Sequence, residues 1–287
     1  MVESSWLIPV QYLWLIPLGF VIGSYGTLIG AGGGFVLVPL LLLLYPKDPP
    51  ELITSISLAV VFFNALSGSL AYGRMRRIDF KSGIIFSMAT MPGAVLGALT
   101  TGYLPRQLFD GVFGFFMIVA SLYLLLRPGG NREEELANPD RSFLRTSFYR
   151  LTRNLTDAEG MRHTFSYDPL LGVGLSLLAG YISSLLGVGG GFIHVPVLVH
   201  LLSFPVHIAT ATSQFILAFM AFTGTLVHIV TGTFARGVRR TVALSIGVLL
   251  GAQLGAWLSN RVHGEWIIRG LAIALGFVGV RILIMAF

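Results

Sequence analysis

Two stretches of the chain carry the residues most able to do chemistry. Gly30-Ala31-Gly32-Gly33-Gly34-Phe35-Val36-Leu37-Val38-Pro39 returns as Gly187-Val188-Gly189-Gly190-Gly191-Phe192-Ile193-His194-Val195-Pro196. Three consecutive glycines cost about 1 kcal/mol each against alanine inside a helix, so each stretch reads as a deliberate break. A helix that begins inside a membrane presents unsatisfied N–H groups and the positive end of its dipole, which together suit an anion. The candidate donors are Gly32, Gly33 and Gly34 in one copy and Gly189, Gly190 and Gly191 in the other. The alternative role for the same glycines is a tight turn and close packing.

Polar side chains in the apolar sequence around each break extend the candidate set. Ser57 and Ser213 align, one turn inside the helix that follows each break. Thr54 and Thr210 are adequately explained as helix caps. Asn64 and Gln214 are uncharged amides deep in apolar runs; each can serve an anion's oxygen or an interhelical hydrogen bond. His194 stands where the first copy has Leu37, and Gln253 stands where the first half has Val95. An imidazole near its ordinary pKa can carry a proton. Asp79, Asp110 and Glu265 all fall at segment ends. No carboxylate lies near the middle of any apolar segment, which weakens any proton or sodium relay built on carboxylates.

The elements that must hold these residues are membrane helices. Hydrophobic residues make up 54% of the chain and charged ones 11%, against about 25% charged in ordinary soluble proteins. Apolar segments fall at 7–29, 35–45, 52–72, 82–101 and 108–126, then at 169–186, 192–202, 208–231, 241–259 and 266–287. Each half has four segments near the ~20 residues a crossing needs and a short one that covers only about half the core. Ser67-Gly68-Ser69 matches Thr223-Gly224-Thr225, and Gly93-Ala94-Val95-Leu96-Gly97-Ala98 matches Gly251-Ala252-Gln253-Leu254-Gly255-Ala256. The expected fold is an all-α polytopic membrane protein of two homologous halves. Each half has four transmembrane helices plus a short re-entrant or broken half-helix after the triple glycine. The first repeat takes 1–127, a cytoplasmic connecting loop 128–167, and the second repeat 168–287.

Charge sets the expected orientation. The loops 73–81 and 232–240 and the connection 127–168 hold 14 of the 19 Lys and Arg. Basic loops face the cytoplasm. Putting all three inside gives eight crossings, both termini cytoplasmic, and halves related by an axis along the membrane normal. The runner-up is ten crossings with inverted halves. In the connection, Leu144, Phe148, Leu151 and Leu155 at helical spacing, with Arg141, Arg145, Arg150 and Arg153 between them, allow a basic helix on the inner leaflet; a solvated linker is the alternative.

Absences narrow the function. Cys is missing, so no thiol nucleophile, disulfide or Cys-based metal site is available. There is no H-E-x-x-H, no G-x-S-x-G and no mid-span pair of Asp, so an enzyme is not expected. No cofactor, metal or nucleic acid is expected. The partners are the lipid bilayer, a small anionic substrate and, for a coupled carrier, H+ or another ion. Residues 1–6 lack Lys and Arg and no A-x-A site follows, so a cleaved signal peptide is not expected.

The doubled G-x-G-G-G-F-x-x-V-P motif, the four-span repeat and the hydroxyl-rich helix start after each motif resemble the TauE/SafE family of sulfite exporters, also called the toluene sulfonate uptake permease family. The resemblance covers nearly the whole chain. It implies transport of small sulfur-containing anions, such as sulfite, sulfoacetate or related organosulfonates, across the cell inner membrane. Members of the family differ in substrate and direction, so the resemblance selects neither. An anion channel, or a carrier of another small anionic metabolite, is the alternative.

Overall fold

The computed structural model describes residues 10–126, 151–259 and 265–286. Among the described residues, ten α-helices fall on the ten apolar segments: α1 Leu15–Ile29, α2 Gly34–Leu44, α3 Pro50–Arg74, α4 Phe80–Thr101, α5 Arg106–Leu126, α6 Pro169–Leu186, α7 Gly191–Pro196, α8 Val206–Val230, α9 Val238–Leu258 and α10 Glu265–Ala286. Six described stretches are long and apolar enough to cross a membrane: Val10–Ile29, α3, α4, α6, α8 and α9. The chain is a polytopic, mainly helical membrane protein.

It divides into two units. One comprises residues 1–102 and 149–260, the other 103–148 and 261–287. In the smaller unit α5 and α10 run antiparallel, with Gly114 against Leu283 and Gly276 against Ser121.

The larger unit is held together by glycines that let helices touch through their backbones. A methyl group on Gly247, Gly251 or Gly255 of α9 would lie 2.1–2.2 Å from a carbonyl oxygen of Ile16, Phe20 or Ser24 of α1. Gly93 and Gly97 of α4 press equally closely on Leu177 and Tyr181 of α6. The matched Gly-x-x-x-Gly pairs thus pack each half's fourth segment on the other half's first helix, the small-residue packing expected in lipid.

The order of these contacts gives the helix directions. Positions advance together in α1 with α9 and in α4 with α6, so these pairs are parallel. In α3 and α8, Leu58 meets Gly224 while Gly68 meets Gln214, so that pair is antiparallel. An axis along the membrane normal would leave the matched helices α3 and α8 parallel. That expectation is corrected for this pair, which runs antiparallel. The two basic loops then fall at opposite ends of the unit. Met75 accepts a hydrogen bond from the Ala158 N–H at one end (3.1 Å), while Arg240 pairs with Asp48 at the other. The ground for placing both termini in the cytoplasm goes with it, because that argument needed both loops on one side.

The central connection also departs from expectation. Leu151–Thr156 is a strand, β1, paired antiparallel with β2, Arg162–Tyr167. Leu151 and Leu155 are therefore not on a helix; Leu144, Phe148, Arg141, Arg145 and Arg150 lie outside the described residues. Alternation decides the outcome. Phe165 and Tyr167, two apart on one face of β2, bury against Phe86, Leu202, Phe204 and Ile208. The turn is tied by Asp157, whose Oδ1 accepts from the N–H groups of Glu159 (3.0 Å) and Met161 (2.9 Å). Arg77 holds Glu159 at 3.2 Å. This hairpin marks one end of the unit.

Candidate functional site

Both breaks open the same way, but the Gly32 N–H, expected as an anion donor, is already spent on Gly26 O at 3.1 Å. α1 ends on Gly30 at φ 80° and α6 on Gly187 at φ 67°, the left-handed position that favours glycine. The N–H of Ala31 then bonds Gly26 O at 2.8 Å, and that of Val188 bonds Ser183 O at 3.1 Å. Past these turns, the N–H groups of Gly33, Gly34 and Phe35, and of Gly189, Gly190 and Gly191, have no acceptor among the described residues. They are the orphan donors of a helix start.

The breaks meet. A methyl on Gly34 would lie 2.3 Å from Val188 O, and one on Gly191 would lie 2.1 Å from Gly30 O. The rings of Phe35 and Phe192 stack with centroids 5.6 Å apart. Val61 of α3 and Leu217 of α8 both press on Gly32 and on Gly189. The glycines therefore serve a conformational and packing need and, at the same points, carry unsatisfied donors.

Ser57 and Ser213 have matching places. Ser57 Oγ donates to Gly187 O at 2.6 Å, and Ser213 Oγ to Gly30 O at 3.2 Å. Each serine ties the helix after one break to the last carbonyl before the other. The hydroxyl hydrogen each would offer an anion is engaged in that bond.

The remaining polar residues split into two clusters. Near the end of α1, Asn64 Oδ1 accepts from Thr27 Oγ1 at 3.2 Å, and Gln214 Nε2 donates to Gly26 O at 3.3 Å. Asn64 Nδ2 and Gln214 Oε1 stay buried without partners. Near the end of α6, His194 Nδ1 lies 3.0 Å from Gly190 O. A methyl on Gly190 would lie 2.9 Å from that Nδ1 and 3.2 Å from Ser183 Oγ. Ser183 Oγ, Ser184 Oγ and His194 Nε2 are buried and unpartnered.

Sequence reasoning missed Thr27, Ser183 and Ser184. Their signal was present: each lies three or four residues before the first glycine of its motif, at the end of an apolar run. Gln253 is a packing residue, its Nε2 donating to Ser67 O at 2.9 Å and to Ser67 Oγ at 2.8 Å.

Two charged clusters cap the unit. At the hairpin end, Ser82 bonds both Asp79 and Tyr167 Oη (the latter at 2.5 Å), the Asp79 N–H donates to Thr212 Oγ1 at 3.1 Å, and Arg153 approaches Asp79 at 3.8 Å. At the other end Arg240 pairs with Asp48 and lies 3.8 Å over the Tyr45 ring, and Arg236 reaches Glu51 at 3.8 Å.

"Probable membrane transporter protein YunE" of Bacillus subtilis is 31% identical over 280 residues, covering 96% of this chain and 98% of the relative. "Probable membrane transporter protein MJ0441" of Methanocaldococcus jannaschii is 21% identical over 294 residues, covering 96% and 97%. No solved structure matches. The model of the family described as Sulfite exporter TauE/SafE matches residues 15–282. The chain belongs to the TauE/SafE sulfite exporter family of membrane transporters.

Proposed function

We propose that this transporter is a secondary carrier of small sulfur-containing anions, such as sulfite, sulfoacetate or related organosulfonates, with the anion held where the two glycine breaks meet. The observation that carries this reading is the coincidence of unsatisfied N–H groups from both breaks at one contact, Gly34 to Val188 and Gly191 to Gly30. An oxyanion accepts several such donors at once and brings the charge that a helix start favours. With no Lys or Arg in residues 1–46 or 169–235, backbone N–H groups are the principal anion donors.

The packing supports a membrane arrangement of two re-entrant hairpins. α1 runs parallel to α9, and the chain after α2 returns to the same end, where Asp48 meets Arg240. α6 starts beside the β-hairpin, and after α7 Leu202 and Phe204 return to it. The two hairpins then enter the bilayer of the cell inner membrane from opposite faces and touch at their tips, the arrangement inverted repeats bring to a midplane site. The hairpin end carries Arg74, Arg76, Arg77 and Lys81, with Arg153 and Arg162 on the β-hairpin itself. It faces the cytoplasm, and α1 begins on the opposite face.

Reconstitution tests both parts. Saturable flux of sulfite or a sulfonate in proteoliposomes supports the carrier; a conductance far above carrier turnover supports the channel. Bulky replacements at Gly33 and Gly190 that leave saturable flux intact remove the breaks as the site. Reporter fusions at 76 and 237 are expected on opposite faces.

A further inference from the structure

The two breaks share a backbone but not a side-chain chemistry. Position 26 of the first half is glycine and position 37 leucine, where the second half has Ser183 and His194. Among the described residues, only the second break has a titratable side chain packed on its glycines. His194 is 1% exposed, Ser183 1% and Ser184 0%. All three keep a polar atom without a partner. Ser183 Oγ and the imidazole converge on Gly190, and Ser184 Oγ lies 2.8 Å from where a methyl on Gly224 would sit.

The tautomer follows from the hydrogen bond. Gly190 O can only accept, so Nδ1 carries the proton and Nε2 the lone pair. The serine hydroxyls can both donate to an oxyanion. A lone pair on Nε2 repels one, whereas Nε2–H attracts it. The neighbourhood offers no other countercharge. Residues 169–235, which make up α6, α7 and α8, contain no Asp, Glu, Lys or Arg. α6 brings Ser183 to the ring and sets Ser184 against Gly224 of α8 and Gly97 of α4, with Tyr181 at its contact with α4. α8 brings Met220 and, two turns further on, His228, whose Nε2 is also unpartnered. His200 is exposed on the continuation of α7. The first break contributes Phe35 against Phe192 and the uncharged Gly30 and Ala31.

We propose that Ser183, Ser184 and His194 form a proton-accepting oxyanion subsite at the second break, so that a monoanion and a proton bind and cross together. This rests on the anion-carrier reading above. A proton from the aqueous phase forms the Nε2–H bond and is returned when that bond breaks on release; no bond in the substrate changes. Binding of anion and proton is then reciprocal. The amide cluster of Thr27, Asn64 and Gln214, which does not titrate, takes no part in the coupling.

The test uses full-length protein in proteoliposomes loaded with a pH dye, with methanesulfonate and sulfite as probes. Methanesulfonate stays a monoanion across the working pH range, so any proton that moves with it is carried by the protein. Wild type is expected to move either probe about tenfold faster when the anion side is acidified by one pH unit, with about one proton per sulfonate. H194Q is expected to lose that acceleration and the dye signal while residual flux remains. S183A is expected to weaken half-saturation about tenfold and keep the proton stoichiometry. Titration of methanesulfonate into detergent-solubilised protein, in two buffers of different ionisation heat, reads the same proton uptake without transport; H194N replaces H194Q if the latter does not fold. Flux or binding with no proton in wild type, or with the same proton in the His194 variants, overturns the subsite and leaves the carrier reading intact. Absence of flux and of binding for both probes overturns the carrier reading and the subsite with it.

Discussion

The second break and the first differ more in what surrounds them than in how the chain turns. Both have a left-handed glycine closing the preceding helix, orphan N–H groups, and a serine from the other half's following helix on the last carbonyl. Around the first stand an amide pair and a threonine; around the second stand two serines and a histidine. The turn itself diverges at two points, the first being that the Gly32 N–H donates to Gly26 O while the Gly189 N–H finds no such carbonyl among the described residues. The second is that Gly33 has φ 79°, whereas Gly190 has φ −59°. After it, α2 continues for 11 residues through Pro39, while α7 gives way after Pro196 to a π turn, Val197–Leu201. What packing requires is the same at both breaks, and the side chains facing them differ.

The largest effect should be symmetrical. Gly191→Ala and Gly34→Ala push a methyl to within 2.1 and 2.3 Å of a backbone oxygen that cannot swing aside. Each is expected to cost about 3 kcal/mol or more, seen as loss of the monodisperse peak or a large drop in thermal unfolding temperature. If only one of the pair did so, the two breaks would not be packed equivalently.

The next effect should be asymmetrical. Gly33→Ala forces a left-handed alanine onto Ile22 O at 3.0 Å, whereas Gly190→Ala meets mainly the side-chain atoms of His194 and Met220. Gly33→Ala should be the less stable by about 1–2 kcal/mol; equal stabilities would sink the distinction. Gly190→Ala should instead disturb flux, because its methyl displaces the His194 ring.

Ser57→Ala and Ser213→Ala leave a buried carbonyl short of its donor, at about 1–2 kcal/mol each. The shorter bond, from Ser57, should be the more costly. His194→Leu makes the second break resemble the first. It removes an unpartnered buried nitrogen, so its stability should stay within about 0.5 kcal/mol of wild type or rise, while pH-dependent flux disappears.

The smallest effect tests the hairpin. Burial pushes the Asp157 carboxyl up, but the N–H of Met161, His163 and the N–H of Glu159 together hold it below the usual carboxylate range. A depressed carboxylate stabilises the fold above its unfolded pKa of about 4 and loses that contribution as pH falls through the lower folded value. Amide exchange at Glu159 and Met161, corrected for intrinsic rates, should therefore be flat at neutral pH and accelerate only below about pH 4. Asp157→Asn should abolish that acid step.

Composition and periodicity alone determined a helical membrane protein, the ten apolar segments, the doubled break, and the shortness of the segment after each. These follow from local rules: helix length against bilayer thickness, glycine against helix, matched spacing against chance. Gly93, Gly97, Gly251 and Gly255 were legible as packing positions because small residues at that spacing have one main use in lipid. His194 and the amides Asn64 and Gln214 stood out as polar residues in apolar runs. Only the tertiary structure decided the direction of one half relative to the other. Charge counts could not, since basic loops record the sum over a face and both arrangements leave a basic excess on one side. It also decided that Ser57 and Ser213 spend their donors on carbonyls 130 and 183 residues away, and that Leu151 and Leu155 lie on a strand. Their apolar spacing fits a helix equally well, and the choice fell to Phe165 and Tyr167 finding Phe86 and Phe204. Most of all, it decided which polar atoms lack partners. Satisfaction is a property of neighbours brought together from distant parts of the chain, so Ser183, Ser184 and His194 acquire their meaning only where α6, α7 and α8 meet.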